Sequence, residues 1–199
     1  MESTKKELLL EVNDLCMHYP VQGGFFDQAK GLVKAVDGVS FKLYKGSSFG
    51  LVGESGCGKT TTGRLIMKVM RPTSGSITFY DNEIGPVKIE KLSNKKMRPL
   101  RKKIQMVFQD PYSSLDPRMT IQQIVGEPLR SGGRGDLNDY KNKIADILQK
   151  SGLSPDFMDR YPHAFSGGQR QRIGIARALV TNPQLVVAVT VGSLTATFS

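Results

Sequence analysis

The stretch Gly53-Glu54-Ser55-Gly56-Cys57-Gly58-Lys59-Thr60 constrains this chain more than any other. A strand-like run, Ser48-Phe49-Gly50-Leu51-Val52, leads into it, and residues 61–70 read as the helix that follows. Strand, G-x-x-x-x-G-K-[ST] and helix in that order make a phosphate loop, and each residue type has a physical reason. Glycines lack the Cβ atoms that would keep the backbone from wrapping an anion, and successive N–H groups then point inward. The helix adds the positive end of its dipole to the same target. Lys59 offers a point charge to β- and γ-phosphates, and the Thr60 hydroxyl suits a Mg²⁺ ion. Residues Gly53 through Thr60, with Thr61 beside them, are therefore the candidate site for a nucleoside triphosphate.

A chain of 199 residues fits one domain, and 39% hydrophobic with 23% charged residues reads as soluble and globular. Near the N-terminus only Leu8-Leu9-Leu10 is continuously apolar, flanked by Glu7 and Glu11, so no signal peptide is expected. No run reaches the length needed to span a bilayer, and membrane association is expected through a partner or the surface. The net charge of +10 admits nucleic acid, an anionic membrane or a triphosphate as partner. Its excess lies in residues 88–103, where Lys88, Lys91, Lys95, Lys96, Arg98, Arg101, Lys102 and Lys103 meet only Glu90. No aromatic residue interleaves them, so the stretch reads as a solvated helix face and no nucleic-acid partner is expected. Cys16 and Cys57 give neither a disulfide framework nor a metal-ligand spacing, which suits a reducing cytosol.

Along the chain, residues 8–17 read as a first strand ending at His18-Tyr19-Pro20. Residues 20–30 look like a hairpin-tip insertion, and alternation over 33–44 predicts a returning strand. Further strands are expected at 76–80 and 104–108, with a proline-rich loop at 109–117. Residues 138–149 predict an amphipathic helix with Tyr140, Ile144, Ile147 and Leu148 on one face. Ser166 can cap another, whose buried stripe would be Ile173, Ala176, Leu179 and Val180. Residues 185–189 read as a buried strand. An early antiparallel hairpin, then strands alternating with helices, predicts an α/β fold with a mixed sheet.

Phe165-Ser166-Gly167-Gly168-Gln169-Arg170-Gln171-Arg172 resembles the signature motif of ATP-binding-cassette ATPases. It makes sense as a second anion nest, with Ser166 and the Gly167 and Gly168 amides at a helix N-terminus. The resemblance narrows further. Residues 107–119, Arg160-Tyr161-Pro162-His163, and Met17-His18-Tyr19-Pro20-Val21 before a Gly-Gly-Phe-Phe insertion are similar to the F-type ATP-binding subunit of oligopeptide and dipeptide importers. It covers about residues 8–188 and implies a single, incomplete cassette domain over 1–199, a P-loop fold lacking its C-terminal part, with an antiparallel β subdomain and a helical subdomain at about 110–165. It implies ATP and Mg²⁺ as cofactors, with Tyr19 stacking on adenine and Gln109 reaching the Mg²⁺ and the attacking water. Ser166, Gly167, Gly168 and Gln169 would face the γ-phosphate held by a second ATP-binding subunit, in a heterodimer. Two membrane permeases would dock on the loop at 110–119, and a solute-binding protein would act beyond them. The location implied is the cytoplasmic face of the cell membrane.

The pattern breaks after Leu185-Val186-Val187-Ala188. There the family reads Asp-Glu-Pro, and later another strand and a switch histidine. Here the positions of the Mg²⁺-anchoring aspartate and the water-polarising glutamate hold Val189 and Thr190. Valine has no acceptor, and a threonine hydroxyl is no base near neutral pH, so triphosphate binding is expected and sustained hydrolysis is not. Residues 189–199 have no echo of the family and read as a shifted frame or truncation, leaving 185–191 as an exposed apolar edge. Two other readings compete. A DNA-repair relative of the same fold would account for the charge, but its long heptad coiled coils are absent between the motifs. A non-catalytic nucleotide-binding module would regulate by binding alone.

Overall fold

A computed structural model describes residues 6–20, 31–108, 110, 112, 114–130, 137–190 and 193–197. The chain divides into two compact units, one of residues 1–93 with 191–199 and one of residues 94–190. The hairpin-tip insertion expected at 20–30 lies, apart from Pro20, outside the described residues.

In the first unit, β1 (Leu8–Pro20) and β2 (Leu32–Tyr44) form the expected antiparallel hairpin arms. β3 (Phe49–Val52) runs into the phosphate loop, and α1 (Lys59–Ile66) leaves it. β4 (Ser74–Asp81) is longer than expected, and β5 (Gly85–Lys88) was not foreseen. The four strands β2-β1-β4-β5 make one antiparallel sheet. Cross-strand pairs Leu10–Phe79 and Val12–Ile77 are fully buried, which fixes the β1–β4 register because a one-residue slip would expose the whole set.

The helix α1 is shorter than the expected 61–70 and starts earlier, at Lys59. It stops because Lys68 turns to a positive φ of 52° and sends its side chain inward. There the Lys68 ammonium, 7% exposed, donates to the carbonyls of Ile89 and Leu92. Desolvation first, then the nearby Arg71 charge, pushes its pKa down, while Glu90 opposes them. The basic stretch is correspondingly not one helix. It passes through β5 and a 3-10 turn at Ile89–Lys91.

The second unit begins with α2 (Asn94–Leu100), which turns Met97 and Leu100 inward and its cations outward. β6 (Ile104–Val107) follows, then α3 (Ile121–Arg130), α4 (Lys141–Lys150) and α5 (Gly167–Leu179), and finally β7 (Leu185–Thr190). β6 and β7 pair in parallel, Ile104 opposite Leu185 through Val107 opposite Ala188. The three longer helices share one core, built from Ile121 and Ile124 of α3, Ile144 and Leu148 of α4, and Ile173 and Ala176 of α5. Tyr140 and Ile147 pack on its border, as the amphipathic pattern required. One expected core member is wrong: Leu179 is 36% exposed, and Ala178, one residue earlier, is buried instead. The last turn of α5 thus presents its small side chain inward.

β8 (Ser193–Thr197) belongs to the first unit and pairs antiparallel with β3, Phe49 opposite Ala196 through Val52 opposite Ser193. Residues without an echo of the family pattern therefore supply a strand beside the phosphate-loop strand. Nor is β7 an exposed apolar edge, since Leu185, Val187 and Val189 are all buried. Among the described residues, no helix is long and apolar enough to cross a membrane.

Candidate nucleotide-binding site

The loop between β3 and α1 takes its course through glycines in left-handed backbone conformations. Gly56 and Gly58 have φ of 86° and 91°. A Cβ at Gly58 would lie 2.0 Å from the Ala35 carbonyl oxygen of β2, so the loop sits flat on that strand only because the side chain is missing. At Gly53 a Cβ would meet only Cys57 Sγ, at 2.6 Å, a contact that a turn of the cysteine side chain relieves. The Cys57 amide donates to the Glu54 carbonyl, closing a turn within the loop, and Glu54, Ser55 and Cys57 are exposed at its rim.

Gly58 caps α1 without a side-chain acceptor, so the first helical amides have no cap from their own N-terminal residue. Thr62 instead bonds back to the Gly58 carbonyl at 3.0 Å and is buried. Thr60 and Thr61 are half-buried in the first turn. Lys59, only 8% exposed, folds over the loop and donates to the carbonyls of Gly53 and Glu54, both at 2.6 Å. A buried cation whose acceptors are neutral carbonyls gains direct Coulomb attraction when an anion takes their place. The loop thus fits a polyphosphate by backbone shape and by its one buried charge.

Tyr19 lies at the end of β1, 37% exposed, with its hydroxyl on Met70 Sδ at 3.7 Å. An exposed ring face at a strand end can accept a flat base. Gln109 lies outside the described residues, although its neighbours are placed. Arg177 of α5 donates to the Ser114 carbonyl at 2.6 Å and stands 5.8 Å from the Phe108 ring. Burial lowers the Arg177 pKa, and Glu127 counteracts it. Phe108 and Ser114 are therefore both tied to the helix that starts with the Ser-Gly-Gly motif. That tie was not visible in the sequence.

At that helix start, Ser166 Oγ accepts the Gln169 amide at 3.3 Å, and Gln169 Oε1 accepts the Ser166 amide at 3.0 Å. The pair is a capping box. Ser166 and Gly168 are exposed, and a Cβ at Gly168 would meet nothing within 4 Å. Gly167 faces Tyr112, whose ring lies 4.3 Å from the Arg170 guanidinium. Tyr112 comes from the loop at 110–119 and was not singled out from sequence. The structure places the phosphate loop and Tyr19 in the first unit and the Ser-Gly-Gly motif in the second. Positions 189 and 190 bring no acid: Val189 is apolar and 2% exposed, and Thr190 follows it. For Mg²⁺, Thr60 supplies a fitting hydroxyl, but positions 189 and 190 supply no carboxylate.

Residues 36–188 match the family described as ABC transporter, a match that stops immediately before Val189. The chain is 47% identical over 188 residues to the oligopeptide transport ATP-binding protein AppF of Bacillus subtilis, covering 94% of this chain and 56% of that protein. It is 42% identical over 186 residues to OppF of Salmonella typhimurium, an oligopeptide transport ATP-binding protein, covering 92% and 54%. The glutathione import ATP-binding protein GsiA of Salmonella typhi is 44% identical over 182 residues, 92% of this chain and 28% of that one. The chain spans about half the length of the first two relatives. Among solved structures, the dimeric bacterial ABC transporter cassette MJ0796 superposes with a TM-score of 0.71 at 26% identity, covering 90% of this chain and 73% of that one. A sequence match running through the phosphate loop and the Ser-Gly-Gly motif, on a cassette fold, leaves one family: this chain belongs to the ABC transporter ATPases.

Proposed function

We propose that this chain is the nucleotide-binding part of a peptide importer's ATP-binding subunit, and that it binds ATP without sustaining hydrolysis. The observation that carries the binding half is the buried Lys59 ammonium folded over the phosphate loop onto two neutral carbonyls. Gly53 through Gly58 would wrap the phosphates with backbone amides, Lys59 would exchange its carbonyl acceptors for phosphate oxygens, and Tyr19 would stack on the base. Thr60 would hold Mg²⁺, which when bound neutralises charge on the β- and γ-phosphates. The peptide assignment is supported by the oligopeptide transport relatives.

The missing half is carried by Val189 and Thr190. Without a carboxylate there, no side chain at those positions can polarise a water, a loss that typically costs 10²–10⁴ in rate. Gln109 would remain as a ligand to the metal and water. Residues 110–165 would act as the helical subdomain of a single cassette domain, with the loop at 110–119 meeting two permeases at the cytoplasmic face of the membrane. A second ATP-binding subunit would offer its nucleotide to Ser166, Gly167, Gly168 and Gln169, and a solute-binding protein would deliver the peptide.

Calorimetric titration of the purified chain with Mg²⁺-ATP, followed by a phosphate-release assay, tests both halves. Saturable binding with release no faster than in a Lys59→Ala variant is the expected result. Absence of binding overturns the first half, and release well above that variant overturns the second.

A further inference from the structure

Three metal-ligating side chains converge on the outer part of the β1–β2 pair. Cys16 and His18 stand two residues apart on β1, and Asp37 faces them from β2. Between the pairs Leu15–Val39 and Met17–Val36, β2 carries one residue more than β1, a bulge that takes in Asp37 and Gly38. Gly38 has a φ of 69°, which a residue without Cβ adopts freely. A bulge re-aims side chains out of the pleat. Here it sets Asp37 Oδ1 2.8 Å from His18 Nε2 and 4.0 Å from Cys16 Sγ. It also turns the Gly38 amide onto Cys16 Sγ, at 3.2 Å.

The three donor atoms lie within 4.8 Å of one another. Around Zn²⁺, with bonds of about 2.0–2.3 Å, tetrahedral donors are separated by roughly 3.3–3.7 Å. The observed separations bracket that range, so side-chain rotations suffice to close the site. Asp37 is shared out: Lys34 takes Oδ2 at 3.0 Å, and Oδ1 turns to His18 and Cys16. Lys34 first and His18 second hold its carboxyl below the usual range, so the ionised ligand form is favoured. Cys16 and His18 are half-buried and Asp37 is exposed, which leaves a route for an ion and room for water.

We propose that Cys16 Sγ, His18 Nε2 and Asp37 Oδ1 form a binding site for a divalent transition-metal cation of the zinc or cobalt type, with water completing the coordination. Thiolate and imidazole select such an ion over Mg²⁺, so the site does not compete for the ion that accompanies ATP. Binding releases the Cys16 proton and replaces the His18–Asp37 hydrogen bond with two metal bonds. The Gly38 amide and the Lys34 ammonium remain as outer partners that orient sulfur and carboxylate. The bound ion cross-links β1 to β2 one residue before Tyr19. None of this rests on the nucleotide-binding reading.

Titration of the nucleotide-free full chain with Co²⁺, followed by absorbance, tests it. The expected result is a thiolate-to-cobalt charge-transfer band that saturates at a single site, is displaced by Zn²⁺ and is insensitive to excess Mg²⁺. Cys16→Ser removes the band and Cys57→Ser keeps it. His18→Ala and Asp37→Asn each weaken Co²⁺ binding by about tenfold or more with an unchanged far-ultraviolet dichroism spectrum. These two variants decide the matter if Cys16→Ser fails to fold. A missing band, a band that follows Cys57, or unchanged affinity in both variants overturns the proposal.

Discussion

The chain has two glycine-bearing loops that open helices, and their glycines serve opposite ends. In the first loop the glycines are demanded from within: at Gly58 both the backbone angle and the Ala35 carbonyl exclude a side chain. In the second, Gly168 borders open space, and Gly167 has only the edge of Tyr112 at ordinary contact distance. The first loop keeps an ammonium folded over carbonyls and lacks a side-chain cap. The second satisfies its own helix end through Ser166 and Gln169. An anion that enters the first loop replaces internal contacts, whereas one that meets the second adds to a finished surface. This contrast suits one loop for enclosing phosphates and the other for meeting a nucleotide presented from outside.

Gly58→Ala probes the contrast with the largest effect. A forbidden backbone angle plus a carbonyl clash should cost at least about 2–3 kcal/mol, seen as a lower urea midpoint. Wild-type stability in that variant would break the view that the first loop is locked from within. Lys59→Met comes next: losing charge-assisted bonds worth roughly 1.5–3 kcal/mol should weaken ATP binding about ten- to a hundredfold, measured by calorimetry. Retained affinity would shift the weight of recognition to the backbone amides. Ser166→Ala removes a helix cap and should cost about 1 kcal/mol in urea unfolding while ATP affinity of the isolated chain stays the same. Lost affinity there would erase the distinction between enclosing and presenting loops. Gly168→Ala has the smallest effect, a stabilisation below about 1 kcal/mol, since the new methyl meets nothing and the unfolded chain loses freedom. A marked destabilisation would mean that the second loop is also sterically demanded.

Much of the candidate site was legible because its information is local. The phosphate loop spells its own backbone, and Ser166 with Gln169 spells a capping box. The same signal marks α3, where no helix was expected. Thr120 and Gln123 bond reciprocally, the Thr120 amide to Gln123 Oε1 and the Gln123 amide to Thr120 Oγ1, ahead of buried Ile121, Ile124 and Val125. Gly126 and Pro128 inside that helix masked the periodicity. Leu179 was misassigned for a different reason: a helical stripe is a sector of finite width, and neighbours decide which residue at its edge is covered.

The sequence by itself determined that a G-x-x-x-x-G-K-[ST] loop precedes a helix, that a second, side-chain-capped helix start follows far along the chain, and that positions 189 and 190 carry no acid. Those conclusions need only residue types within a few positions of one another. Tertiary structure alone decided that Lys68 is buried against carbonyls of residues 89 and 92, and that residues 193–197 pair with β3. It also decided that Arg177 ties α5 to Phe108 and Ser114, and that Cys16, His18 and Asp37 meet. Each of these joins residues whose approach depends on strand register, a bulge or helix packing. Such contacts follow from the closure of the whole chain, and local propensity carries no record of them.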